Sequence, residues 1–513
     1  MARPANVFGR DDIPGDLTLG CDVCVVGSGA GGGVVAAELA EAGLDVLVLE
    51  EGSYHGTEEF THDSGRMVRM LYRDGGATIV AGNPPVQFTE GCCVGGSTVI
   101  NGAMSYRTPE RILDRWWREE GIDGIRASEM ERYFARVERF ISAKPQELGS
   151  VGGDNALLRA GAEKKGWKVI TNTRNQEHCT GSNNCPFGCP TGAKQSTLVS
   201  YLPRALAFGA RVYSDCRAER LLLRGKRVVG VAARVVQANG RPGARVTVRA
   251  RTVVSAAGAI QTPAFLLRSG IRSPSGRLGC DLPLHPNAKV VAMFDQKVEA
   301  WKGVHQAYQV REFQDEGVIM AAINLPPGVV AMTLPLWGQA MDDVLGNYNH
   351  ILFGGVLVED TTSGRVRMVG GSPVPTYNLC DYDAQRLVRG TALLCEMLFG
   401  VGATRIILPF EGAPDLHSAD DVRALFRRPI PRQKIEVLTV HLMGTARMGG
   451  DRSRHVCDPS GRVYDTDGLW VADASLFPSP IGVNPMETVM ALATRNAGHL
   501  LEERAGRRVS ASA

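Results

Sequence analysis

The chain has 513 residues, with 57 Lys and Arg against 54 Asp and Glu and a net charge of +3. That balance, with no basic stripe, excludes nucleic acid as an expected partner, and no apolar run reaches the ~20 residues of a membrane span. Twelve cysteines in a chain this long are not a small disulfide scaffold. The opening MARPANVFGRDDIPGDL lacks the apolar core of a secretory leader, so a reduced, cytoplasmic setting is expected.

The first informative stretch runs from Cys24 to Glu50. A short apolar run, Val23 to Val26, leads into Gly27-Ser-Gly29-Ala30-Gly31-Gly32. A helical pattern follows, with Val34, Val35, Leu39 and Ala42 at helix-like spacing, and then a second apolar run, Val46 to Leu49, ending in Glu50. Strand, glycine turn, helix, strand and acid form the dinucleotide fingerprint in its required context. Gly27 permits the tight turn, Gly29 lets backbone N–H groups approach a pyrophosphate, and Gly32 lets helix and strand pack closely. Glu50 is placed to accept hydrogen bonds from a ribose. The motif by itself does not choose between FAD and NAD, and an acid at this position disfavours a 2′-phosphate.

A second glycine-rich segment follows at Gly91-Cys-Cys-Val-Gly95-Gly96-Ser97, then Ile100, Asn101 and Arg107. This GGST…N…R run after such a fingerprint resembles the glucose–methanol–choline (GMC) flavoprotein oxidoreductases. The resemblance implies that Gly95, Gly96, Ser97 and Asn101 contact FAD. Some members attach the flavin through a His just before the Asn; Ile100 cannot form that bond, so non-covalent FAD is expected.

Residues 110–145 read as helices, with Trp116 and Trp117 as core. Next comes His178-Cys179-Thr-Gly-Ser-Asn-Asn-Cys185-Pro-Phe-Gly-Cys189, a C-x5-C-x3-C spacing. Sulfur ligands on a tight polar loop can converge on one metal centre. The spacing resembles the cluster-bearing bacterial FAD sugar dehydrogenases of the same family, which implies iron–sulfur ligation by Cys179, Cys185 and Cys189, with His178 as a fourth candidate. It equally resembles the cysteine-rich loop of long-chain alcohol oxidases, where no cluster is implied. An ordinary turn with buried thiols, or a disulfide, is the alternative from the residues alone.

A helix is expected from Ala193 to Gly209, then strands at 212–214, 218–223, 228–236 and 246–250 as a β-meander. The run Val253 to Ile271 is a buried strand, a glycine turn and a Pro263-initiated helix. It matches the second GMC signature, which implies that Ala218, Ala257 and Gly258 pass near FAD. In 285–430, strand-like runs at 288–294, 318–323, 351–358 and 365–369 and a helix from Asp383 to Leu398 suggest an antiparallel sheet. His285-Pro-Asn reads as a turn, and His305, His350 and His417 read as surface or satisfied histidines.

The C-terminal stretch holds Val440-His441-Leu-Met-Gly444, then Asp473-Ala474-Ser475, and Gly482-Val-Asn484-Pro485-Met486 before a long apolar helix. Asn484 before Pro485 is a good helix cap. The spacing matches the His/Asn pair of the family, and GVNPMETVMALATRN is especially similar to the end of cholesterol oxidases. The resemblance implies His441 as acid/base, Asn484 as its partner at the substrate oxygen, and Asp473, Ala474, Pro485 and Met486 beside the flavin. The positive end of the last helix would face the flavin N1–C2=O edge.

The expected architecture is α/β. A Rossmann-like FAD domain is assembled from 1–110, 193–284 and 433–513, with the meander inserted. Connecting helices and the cysteine loop fill 111–192, and a substrate domain with an antiparallel sheet fills 285–432. The implied activity is oxidation of a small-molecule alcohol, with electrons passed to a quinone, a cytochrome, a small protein subunit or O2. A non-oxidative isomerase or lyase, a non-catalytic FAD carrier and a NAD-dependent dehydrogenase are the competing readings. The last leaves Gly91–Arg107 and the C-terminal run unexplained.

Overall fold

The computed structural model describes residues 3–334 and 336–512. Seven elements carry the nucleotide half: β1 (Leu17–Val26), α1 (Ala30–Glu41), β2 (Val46–Leu49), β3 (Pro242–Ser255), α2 (Gly258–Arg268), β4 (Leu469–Val471) and α3 (Met486–Ser512). Strands Arg211–Tyr213, β2, β1, β3 and β4 lie in parallel. The apolar runs at 23–26 and 46–49 are fully buried between helices, as parallel strands demand.

β3 joins two functions. Its first half pairs antiparallel with Arg227–Val236 and so belongs to the meander; its end, Val253–Ser255, pairs with β4. The sequence reads two strands here because Arg249 and Arg251 interrupt the apolar run. The structure runs one 14-residue strand through them, because only alternate side chains of a strand need burial.

The helix expected from Ala193 begins only at Tyr201 and ends at Ala207. Pro203 lacks an N–H and is tolerated only in a first turn. The segment before it is committed elsewhere: Lys194 Nζ donates to the carbonyls of Val99, Asn101 and Cys185, and Thr197 N–H donates to Thr98 Oγ1.

The second sheet is mostly antiparallel and twelve-stranded among the described residues. Its middle is Val437–Thr439, Asn287–Phe294, Ile351–Val358, Val318–Ile323 and Tyr308–Val310, in that spatial order. Thr78–Asn83, Val86–Phe88 and Val169–Thr171 join it from earlier in the chain. One face packs on helices Gly153–Lys164 and Asp381–Gly400 around Leu158, Val356, Leu387 and Leu394. The other face is turned toward the nucleotide half, and the space between them is the cavity described next. Among the described residues no helix is long and apolar enough to cross a membrane.

Candidate active site

A cavity of about 1240 Å³ runs from the fingerprint turn to the face of the second sheet. That exceeds the ~300–1,000 Å³ of ordinary small-molecule pockets and has room for a dinucleotide and a substrate together. Gly27, Gly29, Ala30, Glu50, Gly96, Ser97, Asn101, Ala218, Ala257 and Gly258 line it, as do His441, Asp473, Ala474, Asn484, Pro485 and Met486.

Gly32 and Gly95, expected at the cofactor, are not on its wall. A Cβ on Gly32 would sit 1.9 Å from the Gly27 carbonyl oxygen, and one on Gly31 1.5 Å from that of Ala472. These glycines hold α1 against the turn and β4. Gly95 has φ +96°, and a Cβ there would meet Val99 at 2.7 Å. Gly29 differs. Its φ is −69°, and the nearest atom to a Cβ would be Gly96 Cα at 4.0 Å. Nothing in the protein requires glycine at 29, so the open space above it is a cradle for a ligand at the start of α1. That is the fit expected for a pyrophosphate.

Glu50 is 6% exposed and burial raises its carboxyl above the usual range. Its Oε2 accepts from Ser28 N (2.9 Å) and Ser28 Oγ (2.6 Å), and its Oε1 from Gly52 N (2.9 Å). The sequence places Glu50 free to hold a ribose; the structure leaves acceptor capacity chiefly on Oε1. Ser28 Oγ also accepts from Gly95 N at 2.9 Å, and Thr197 Oγ1 donates to the Ser28 carbonyl. The fingerprint, the second glycine loop and the 193–200 segment are therefore one hydrogen-bonded unit. Asp473 does similar work at the other end. Its Oδ2 accepts from Gly258 N and Thr262 Oγ1 and its Oδ1 from Ser475 N, tying the end of β4 to the start of α2.

His441 follows strand Val437–Thr439 and is 7% exposed. Its Nε2 lies 3.2 Å from Asn484 Nδ2, and its Nδ1 lies 3.2 Å from His285 Nδ1. The Asn484 amide is thus directed at His441 rather than at the start of α3, against the capping role read from the sequence. His285 was read as a turn residue. It is fully buried, edge-on to His441, and its Nε2 accepts the Gly482 backbone N–H at 3.1 Å. Burial drives its pKa down to about 3, and burial with the neighbouring His285 drives His441 well below the usual value.

His305 is a second correction. It is 7% exposed, lines the cavity, and its Nδ1 has no partner among the described residues. His350 is satisfied by the Phe294 and Gln296 carbonyls, and His417 is exposed. Lys289, Asn287 and Gln309 also line the cavity, and no sequence motif singled them out. Trp116 is core, its indole N–H on Ser479 Oγ at 2.8 Å.

Cys179, Cys185 and Cys189 share a separate space of about 10 Å³, about one water-sized sphere. Arg174 donates to Cys185 Sγ at 3.1 Å and Lys194 N–H to Cys189 Sγ at 3.4 Å. His178 is exposed and does not line that space. Among the described residues no group of three or more His, Cys, Asp or Glu side chains is arranged to hold a metal ion. The Arg174 guanidinium and the Lys194 backbone N–H thus donate to two of the three sulfurs that the spacing offered as ligands. All twelve cysteines are free.

A parallel sheet with a glycine fingerprint, a cavity at its carboxyl edge and a paired imidazole and amide define a dinucleotide-dependent oxidoreductase. The chain belongs to the GMC oxidoreductase family. The family's models match residues 68–287 and 360–493, and a NAD(P)-binding Rossmann-like domain matches 25–87. An uncharacterised GMC-type oxidoreductase of Mycobacterium tuberculosis is 38% identical over 477 residues, covering 92% of this chain and 74% of its own. One from Sinorhizobium fredii is 33% identical, covering 98% and 99%. A long-chain-alcohol oxidase of Arabidopsis thaliana is 29% identical over 94% of this chain and 68% of its own. Among solved structures, formate oxidase of Aspergillus oryzae has a TM-score of 0.72 at 16% identity, covering 96% of this chain and 100% of its own. Pyridoxine 4-oxidase has a TM-score of 0.69 at 19% identity, covering 93% and 99%. These two share the fold. GMC oxidoreductases are flavoproteins that bind FAD, and the open cradle above Gly29 fits that group.

Proposed function

We propose that the chain oxidises an alcohol to a carbonyl compound, with His441 and Asn484 at the substrate oxygen. The observation that carries this is the 3.2 Å pairing of His441 Nε2 with the Asn484 amide on the cavity wall, next to the start of α3. FAD, when bound, supplies the acceptor for the hydride that leaves the alcohol carbon. Non-covalent binding follows from Ile100, which has no nucleophilic or linkable side-chain atom.

The protein's part is orientation and proton handling. Asn484 holds the oxygen and restricts its approach. The start of α3, through Pro485 and Met486, brings the positive end of the helix to the cavity. His441 takes the hydroxyl proton at Nε2, which requires that atom to be unprotonated. The Gly482 N–H is a backbone donor and cannot be reversed, so His285 Nε2 is an acceptor and its proton lies on Nδ1. That proton points at His441 Nδ1, and the neutral resting His441 therefore carries its proton on Nε2, which requires the Asn484 amide to be turned so that its otherwise unpartnered Oδ1, not Nδ2, faces that atom. The basic form needs the inter-ring proton moved to His441 Nδ1, the Nε2 proton released from His441 and one proton taken up at His285 Nε2, at the loss of the Gly482 bond. Such a loss costs on the order of 1–3 kcal/mol, small against a chemical barrier.

O2 is the acceptor we favour. The long-chain-alcohol relatives are named oxidases, and among the described residues no group of three or more His, Cys, Asp or Glu is arranged to hold a metal ion. The test is anaerobic mixing of the holoprotein with alcohols, followed by air. Bleaching of the flavin and then peroxide is expected, with no iron in anaerobically purified protein. About three irons per chain, or no bleaching by any alcohol, would overturn the respective halves.

A further inference from the structure

The cavity-facing side of the second sheet carries one row of residues across four strands. Lys289 pairs in register with Gly355, Gly355 with Ala321, and Ala321 with Gln309. All four line the cavity. Strands spaced ~4.8 Å apart make this a trough about 14 Å long. Its floor is the two smallest side chains. A Cβ on Gly355 would meet nothing nearer than Asn287 Oδ1 at 3.5 Å, so the cavity above it is open.

The two ends of the trough are polar and unsatisfied. Lys289 has no ion pair and no hydrogen bond among the described residues, and no carboxylate acts on it; burial alone pulls its pKa down to about 8. Gln309 is 1% exposed and its Oε1 is without a partner among the described residues, as are His305 Nδ1 and, two residues from Lys289 on its strand, Asn287 Oδ1. The positive charge of Lys289 is felt by His305. A desolvated ammonium without a counter-charge is unfavourable. Ile319, Ile323 and Leu357 flank the trough on the same face, so a ligand there has an apolar body.

We propose that Lys289 receives a carboxylate of the substrate, so that the alcohols oxidised are amphipathic hydroxy acids rather than neutral alcohols. This rests on the alcohol-oxidising reading above. The carboxylate lies on Lys289 Nζ with Asn287 Nδ2 as a second donor, and an apolar part of the acid lies over Gly355 and Ala321. The hydroxyl lies on the other side of the Lys289 strand, toward His441 and Asn484, because Val437–Thr439 pairs with that strand at Asn287–Leu438 on the edge away from Gly355. The unpartnered Gln309 and His305 take any further oxygen.

The test uses ligands that are not oxidised. The FAD holoprotein is titrated with hexanoate and with hexanamide, reading the flavin difference spectrum. Hexanoate is expected to bind about tenfold more tightly or better. Lys289→Met and Lys289→Gln remove that preference while leaving hexanamide affinity and FAD content unchanged, and Lys289→Arg retains it. Equal affinities in the wild type, or a preference that survives in Lys289→Met or Lys289→Gln, overturns the proposal. So does a Lys289 effect on flavin potential alone. Reduction by 6-hydroxyhexanoate and by hexan-1-ol separates this from the broader reading: if neither bleaches the flavin, alcohol oxidation fails while the carboxylate preference stands or falls on its own.

Discussion

His285 donates its Nδ1 proton to Nδ1 of His441, 3.2 Å away, because the Gly482 N–H already occupies its other nitrogen. A residue 156 positions distant in the chain thus sets which nitrogen of the candidate catalytic imidazole carries hydrogen. A neutral imidazole has one proton, so the consequence reaches the cavity: resting His441 presents N–H, not a lone pair, and the Asn484 amide turns its oxygen toward that N–H.

The tautomers are directly measurable. In a nitrogen-15 spectrum of histidine-labelled protein, His441 is expected to show a protonated Nε2 and a bare Nδ1, and His285 the reverse. Both pKa values are pushed down, so neither ring should titrate between pH 8 and 5. A His441 signal with bare Nε2, or titration near pH 6.5, would contradict the network.

His441→Ala is expected to slow anaerobic flavin reduction by about 10²–10⁴ with FAD still bound. Stopped-flow absorbance checks it. Near wild-type reduction would remove His441 from the chemistry.

The fingerprint glycines separate by role. Gly32→Ala places a Cβ 1.9 Å from the Gly27 oxygen and is expected to destabilise the chain by on the order of 3 kcal/mol. Gly29→Ala meets nothing closer than 4.0 Å. It should leave the melting temperature of the apoprotein almost unchanged and weaken FAD binding about tenfold or more. Equal losses of stability in both variants would refute the division.

Lys194 is 4% exposed and donates to three carbonyls that join the cysteine loop to the 91–101 loop. Lys194→Met leaves those oxygens buried and bare, at about 3 kcal/mol or more of stability. Denaturant unfolding measures it. A neutral result would mean the loop is held by other contacts.

Asp154 is fully buried, its Oδ2 has no partner, and burial pushes its pKa to about 7. In the unfolded chain it titrates near ~3.9. Between those values the unfolded state releases the proton first, so this group lowers stability as pH rises from ~4 to ~7 and no further above. Asp154→Asn should therefore match the wild type at pH 4 and be more stable at pH 8, on the order of 2–4 kcal/mol. A pH-independent difference would contradict the assignment.

Local chemistry was legible in the sequence. The glycine turn, the buried strands around it, and the His441 and Asn484 spacing each state a backbone or side-chain requirement within a few residues; the helix read as opening at Pro263 instead begins at Gly258, with Pro263 in its second turn. The meander was readable because period-2 alternation survives in it, and the substrate-side strands because they are short apolar runs, Ile351–Val358 being buried throughout. Spacing alone left alternatives open. Three cysteines on a loop fit a shared centre or an ordinary turn equally, and the structure brings Arg174 and the Lys194 backbone N–H to two of the sulfurs. A His before Pro286 reads as a turn, because nothing local reveals that His441 lies against it.

By itself the sequence determined the class of the nucleotide half and the residues that could serve it, since those depend on short-range backbone geometry and on side-chain type. Only the tertiary structure decided which glycines face a ligand, which proton His441 carries, and that Lys289 stands unpaired opposite Gln309. Those properties are set by neighbours brought together across strands far apart in the chain, through burial, register and the direction of single backbone N–H groups, none of which is written in local pattern.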